Sequence, residues 1–394
     1  MFGSDDNRTQ ISALQSQKWV AMLFLFIFFQ YFLGTSLLHD VPIIELMWLM
    51  LLVILFLFSK SKNIILIGLI YFILAIFYTT GLAFDSQGLA TAAYYRTILT
   101  SFIYSALLFS ILTLDLRRLR GKWKSLNKLP FVQFAIIVIF SGWAMIGIQD
   151  LNNAVLTDFR DITGAGYLTL ADSFALFSIA YLCRERLPPW EFVLVFGLSA
   201  VVIFLLGSRT AMVLYPVAVV FIIGRHVSFI GVIGWALLFC SAAFFWFASR
   251  LTLESSAFFR FDSLFLLGSD ESLTVRNVIL DRWLDQLTNN PECFILACHP
   301  EEGWYVHNIL SVVQYFGLAG IIFLVGTVFV IVVRFSYLFR QWYFPILLYC
   351  VVSLFFSRSW VTVVFPVFLA LVADIALGGS AIRRHRIIQT AKND

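Results

Sequence analysis

The chain has 394 residues, 61% of them hydrophobic and 13% charged, about half the charged fraction of a soluble globular domain. That composition excludes a water-soluble globular enzyme, and the formal charge of +4 at pH 7 gives no argument for nucleic-acid binding. The expected fold is all-α and polytopic, with about twelve membrane spans of roughly 20 residues each.

In chain order, the polar start Met1 to Gln17 lacks a basic region followed by a small-residue cleavage site, so no removable signal peptide is expected. The spans begin near Trp19, Pro42, Ile64, Arg96, Pro130, Ala165, Trp190, Thr210, Phe229, Asn308, Phe344 and Val361. They end near Leu38, Phe58, Leu82, Leu114, Ile148, Cys183, Gly207, Gly224, Ala248, Val333, Phe356 and Gly378. Residues 1–248 would hold spans one to nine, residues 249–307 an external loop, and residues 308–394 spans ten to twelve and a tail. Together they would form one integrated membrane domain, with both termini cytoplasmic.

Charge supports this threading. Of 27 basic residues, every lysine falls on one face, which marks it as cytoplasmic. Eight fall on the other, and all are arginine: Arg96, Arg160, Arg209, Arg250, Arg260, Arg276, Arg282 and Arg358. A planar guanidinium on the disfavoured side suits bidentate recognition of an anion.

Two loops are long. The cytoplasmic loop Asp115 to Leu129 carries six basic residues, which set topology and can also contact anionic lipid. The external loop Ser249 to His307 is about 59 residues long and lies off centre between spans nine and ten, which argues against a transporter of duplicated halves. Within it, Leu273 to Leu287 reads as an amphipathic helix, capped by Asp270 or Ser272 and stopped by Asn289, Asn290 and Pro291. Arg276, Leu280, Trp283, Leu284 and Leu287 share its apolar face, whereas Arg282 lies on the wetter side near Asp281 and Asp285. Cys293 and Cys298 also lie in this loop; a disulfide is permitted in an oxidising compartment, and two reduced thiols fit the sequence equally. Cys183, Cys240 and Cys350 lie in or at the ends of spans, as buried apolar residues do.

The candidate chemistry gathers at span ends. Gly207-Ser208-Arg209-Thr210 breaks an apolar run too long for one span, placing Arg209 beside a helix N-terminus with two hydroxyls, a setting suited to phosphate. His307 stands where the external loop re-enters the membrane. With Asn308 capping span ten, the positive helix end would keep the imidazole neutral and able to accept a proton. Ser311 and Gln314 extend a polar stripe from His307 down one face of that span, a pattern that normally faces a cavity or a partner helix. Gly317 and Gly320 would permit close helix packing. Arg160, before span six, and Arg358, in a second tight external hairpin, could add positive potential or anchor an interface. Asp172, inside span six, must be paired, hydrogen-bonded to a ligand hydroxyl, or protonated. The sequence holds no Asp-x-Asp pair, His/Cys metal spacing, P-loop or Gly-x-Ser-x-Gly elbow, so neither a metal nor a cofactor is expected.

Taken in order, Gly207-Ser208-Arg209-Thr210-Ala211, the stretch from Arg276 through Trp283 to Asn290-Pro291, and His307-Asn308-Ile309-Leu310 with Gly317-Leu318-Ala319-Gly320 resemble the O-antigen polymerase and O-antigen ligase superfamily. The likeness is strongest from Trp190 to Val333. Cys293 to Glu302 departs from it, where a glycine-rich turn would be expected. The resemblance implies an inner-membrane glycosyltransferase of bacteria, working on the periplasmic side with a glycan linked through diphosphate to undecaprenol. It implies that Arg209 and Arg276 hold the diphosphate and that His307 deprotonates or orients the acceptor hydroxyl. Arg160, Arg358, Asp172, Ser208, Thr210, Asn308, Ser311 and Gln314 would line the substrate site. The acceptor would be a second lipid-linked repeat unit for a polymerase, with a chain-length-regulating co-polymerase as a partner, or lipid A-core for a ligase. A flippase for lipid-linked sugars is the alternative without covalent chemistry.

Overall fold

The computed structural model describes residues 67, 69–76, 98, 101–103, 105–106, 108–109, 129–147, 167–184, 187–206, 208–223, 271–296, 306, 308–339, 341, 343–358 and 362–376. The expected spans one, two and nine lie outside these residues, and spans three and four fall partly inside. Among the described residues the regular elements are all helical. They are α1 (Leu129–Gly147), α2 (Tyr167–Leu182), α3 (Pro189–Leu205), α4 (Arg209–Val220), α5 (Glu271–Asn289), α6 (Cys293–Leu296), α7 (Ser311–Val333), α8 (Phe335–Leu338), α9 (Phe344–Phe356) and α10 (Val364–Ala376). Their ends follow the expected boundaries closely because each apolar run is stopped by a proline, a glycine or a polar cluster.

The chain divides into two compact units. The first comprises Met1–Ile44, Asp115–Asp270 and Pro345–Val352. Its centre is α2, which packs against α1, α3 and α4 and is buried from Leu170 through Leu182. A helix that is mostly apolar on every side suits such an enclosed position. Phe140 stacks on Phe174 at 5.0 Å between ring centroids, and Phe196 stacks on Tyr215 at 5.6 Å. The Tyr215 and Ser178 hydroxyls bond at 2.7 Å, which satisfies polar groups that would be costly to bury alone. Where α2 turns into α3, Glu191 accepts from the Tyr181 hydroxyl and pairs with Arg184 at 3.4 Å. The Arg184 guanidinium lies 4.8 Å from the Tyr181 ring centroid.

The second unit comprises Glu45–Leu114, Glu271–Phe344 and Ser353–Asp394. In it the Tyr71 hydroxyl bonds Ser101 and Ser105, each at 2.8 Å, and Ser105 donates to the Pro366 carbonyl at 3.2 Å. The amphipathic helix is present as α5. Its buried face is Ile279 and Trp283, flanked by Leu280 and Leu287, and it packs on Val306 and on Val313, Ile321 and Leu324 of α7. Arg276 lies one turn ahead of Ile279 on this side and is half-buried, while Arg282, Asp281 and Asp285 are exposed. Leu284, expected on the apolar face, is 47% exposed. The stripe centres on Ile279 and Trp283, and 100° per residue carries position 284 past its edge. Ser272 lies inside the helix rather than at its cap.

Helix α7 is long and apolar enough to cross a membrane, but it is not one straight rod. Gly317 has φ 51° and ψ −130°, a conformation that in practice only glycine adopts. Beyond the kink, a Cβ on Gly320 would lie 2.3 Å from the Val312 carbonyl oxygen. In a straight helix residues eight apart are separated by about 12 Å, so the short arm before Gly317 folds back on the long arm after it. Ser311 and Gln314, the residues expected to form a polar stripe on this span, both belong to the short arm. The long arm turns an apolar row outward, with Ile322, Val325, Phe329 and Val332 each at least 64% exposed.

Candidate functional site

The candidate residues fall in both units. Arg209, Ser208, Thr210 and Asp172 belong to the first, and Arg276, Asn308, Ser311, Gln314 and Arg358 to the second. Arg160 and His307 lie outside the described residues, although both immediate neighbours of His307, Val306 and Asn308, are described.

At the start of α4, Ser208 adopts an extended backbone and is the N-cap, its hydroxyl oxygen accepting from the Ala211 N–H at 3.5 Å. Its carbonyl accepts from Met212 N–H at 2.9 Å. Ser208 is buried, and Arg209 and Thr210, the first two helical residues, are half-buried. The serine hydroxyl therefore serves the helix, while the arginine stands at the positive helix end, where an anion is favoured.

Asp172 is fully buried within α2 and accepts a hydrogen bond of 2.7 Å from the Tyr349 hydroxyl of α9. The carboxyl is thus anchored within the packed unit, and nothing in the sequence marks Tyr349, 177 positions away, as its partner.

In the second unit the residues flanking His307 are held from several sides. The Val306 N–H donates to the side-chain oxygen of Gln314 at 2.9 Å. Asn308 accepts from the Leu310 N–H at 2.8 Å, so its side chain closes a turn just before α7 instead of capping the helix, whose N-cap position is Leu310. The Ile309 N–H donates to the Leu354 carbonyl of α9 at 2.7 Å. That carbonyl is available because α9 ends there: the N–H groups of Ser357 and Arg358 both bond Ser353 O, at 2.9 Å each. Arg358, one turn beyond Leu354, is only 2% exposed, and its guanidinium approaches the Ser357 carbonyl and hydroxyl at 3.4 and 3.3 Å.

Three elements therefore meet here through specific contacts: α5 with Arg276, the segment on either side of His307, and the end of α9 with Arg358. Val306 joins the first two by packing on Ile279 and Trp283, and Ile309 joins the second to the third. Ser311 and Gln314 are buried in the short arm of α7. Gln314, expected on a stripe facing a cavity or a partner helix, turns its oxygen to the Val306 N–H. Elsewhere in this unit an apolar cavity of about 310 Å³ lies among residues 70–74, the long arm of α7 and α10, with Phe323, Gly326 and Leu369 in its lining. Cys293 is buried and disulfide-bonded, whereas Cys183 and Cys350 are buried and not in a disulfide. Comparison with family models, curated proteins and solved structures returns no match.

Proposed function

We propose that the chain is a polysaccharide polymerase of the bacterial inner membrane, with about twelve spans and both termini cytoplasmic. At the periplasmic face it would transfer an undecaprenyl-diphosphate-linked glycan to a sugar hydroxyl of a second lipid-linked repeat unit. The observation that carries this reading is the joining of the Arg276 helix, the His307-flanking segment and the Arg358 hairpin in one unit. A proton acceptor and guanidinium groups are what attack at an anomeric carbon with diphosphate departure requires.

In the proposed reaction the acceptor hydroxyl oxygen forms a bond to the anomeric carbon, and its proton passes to the His307 imidazole. The bond from that carbon to the diphosphate oxygen breaks, and the leaving group takes the electron pair. Arg209 and Arg276 match its charge, so it leaves without a proton donor. Attack opposite the leaving group inverts the anomeric centre. The outward apolar row of α7 favours hydrocarbon surroundings over water, and the cavity beside Phe323 is apolar enough for an isoprenoid tail. A disulfide at Cys293 fits an oxidising compartment.

Purified protein incubated with a synthetic diphospholipid donor should give a ladder of products spaced by one repeat unit. A single transfer to lipid A-core would instead assign the acceptor of a ligase. Movement of the lipid across vesicles with no covalent product would assign a flippase.

A further inference from the structure

We infer that α5 and α6 lie in the surface of the bilayer, with Leu284, Phe294 and Ile295 against the acyl chains of the outer leaflet. This placement rests on the proposed membrane crossing of α7 and not on the transferase chemistry.

The apolar side of α5 is wider than the protein surface that covers it. Counting about 100° per residue from Ile279, Trp283 and Leu287 stand at about 40° and 80°, and Leu280 and Leu284 at about 100° and 140°. Asp281, Asp285 and Arg282 fall between about 200° and 300°. Ile279 and Trp283 are buried with Val306 and Val313, and Leu280 and Leu287 are partly covered by the same cluster. Leu284, at the far edge, is 47% exposed. The three charged residues are exposed on the opposite side, where Val278 is a single exposed apolar side chain among them. A helix with an apolar side and a charged side along its length lies along the boundary between hydrocarbon and water.

The contact with α7 fixes the depth. Helix α5 packs on Ile321 and Leu324, which follow the kink at Gly317 by about 6 and 10 Å along the long arm. An interfacial helix buries its apolar face by about 5–10 Å, so the two depths agree. At the same level α7 turns Ile322 and Val325 outward, each 64% exposed. Helix α6 also packs on α7, and next to its buried Cys293 it exposes Phe294 and Ile295, at 48% and 54%. Hydrocarbon at this level covers all of these side chains at once. Arg276, on the same helix, is then held near the phosphate headgroups, where the diphosphate of the proposed donor would lie.

The test places a fluorescent naphthyl amino acid by codon suppression, one position at a time, at Leu284, Phe294, Ile295, Arg282 and Val325 of the full chain. All five positions are exposed, so the probe does not have to fit into the core. Each protein is checked for a monodisperse peak and reconstituted into vesicles of phosphatidylethanolamine and phosphatidylglycerol. Quenching by a phospholipid with a nitroxide on its upper acyl chain is compared with quenching by iodide present on both sides of the membrane. The expected result is several-fold stronger quenching by the lipid at Leu284, Phe294 and Ile295, as at Val325, and stronger quenching by iodide at Arg282. If one of the three proteins fails to fold, the other two decide. Iodide quenching at the three positions, with lipid quenching retained at Val325, overturns the inference and leaves α7 in the membrane. Weak quenching by both agents at the three positions, the sign of cover by a second copy or another protein, also overturns it. Iodide quenching at Val325 overturns the membrane reading of α7 and this inference together.

Discussion

Gly320→Ala probes the folding of the short arm of α7 back on its long arm. The added Cβ would sit 2.3 Å from the Val312 carbonyl oxygen, 2.8 Å from its carbon and 3.0 Å from the Val313 Cα. All three are backbone atoms, so no side chain can swing aside, and the arm must retreat by at least about 0.7 Å to reach the closest contacts that real Cβ atoms make. Overpacking of this kind costs about 1–3 kcal/mol. Replacing a helical glycine by alanine returns up to about 1 kcal/mol of helix propensity, which leaves a net loss of about 1–2 kcal/mol. Gly326→Ala on the same long arm is the internal control, since its Cβ would meet nothing within 4 Å and the propensity gain stands alone. Thermal unfolding in detergent, followed by loss of the monodisperse peak, should place Gly320→Ala about 1–2 °C below the wild type. Gly326→Ala should lie at or above it. A Gly320→Ala protein as stable as the wild type, or less affected than Gly326→Ala, would refute the packing argument.

Three further outcomes follow from single contacts. Trp283→Ala should lower stability by about 3–5 kcal/mol, because Trp283 is central to the packing of α5 on α7, while exposed Arg282→Ala should change stability by less than about 0.5 kcal/mol; thermal melts of both proteins check this. Tyr349→Phe removes the hydroxyl that the buried Asp172 carboxyl accepts from and should cost about 1–3 kcal/mol, with Asp172→Asn less harmful, both read as melting midpoints. Arg209→Lys and Arg276→Lys keep the charge but lose the planar fork. Each should lower kcat/KM for the diphospholipid donor by about 10- to 100-fold, the equivalent of one charge-assisted hydrogen bond.

The helices were legible where the sequence interrupts an apolar run. Gly207-Ser208 marks the break before α4, and Ser208 caps it; Asn289-Asn290-Pro291 ends α5 as expected. The kink in α7 was not legible, because a glycine at a positive φ and a glycine at a tight packing contact have the same letter. Only tertiary structure separates them. The face of α5 was misjudged by part of a turn because Leu284 counts as apolar wherever it points, and burial follows what α7 and Val306 offer. Of the candidate site, the positions of Arg209 and Arg276 at a helix start and beside a packed face follow from local pattern. Gln314 and Asp172 were recognisable as polar groups in apolar runs, but not their partners. Those are the N–H of Val306 and the hydroxyl of Tyr349, contacts that no local periodicity encodes.

The most direct measurement is turnover of a synthetic undecaprenyl-diphosphate-linked repeat unit by purified wild-type and His307→Ala protein. The account predicts an inverted, repeat-spaced ladder from the wild type and no ladder from the folded variant. A wild-type protein that binds the donor but forms no glycosidic bond, or a His307→Ala protein that polymerises at the wild-type rate, would contradict it.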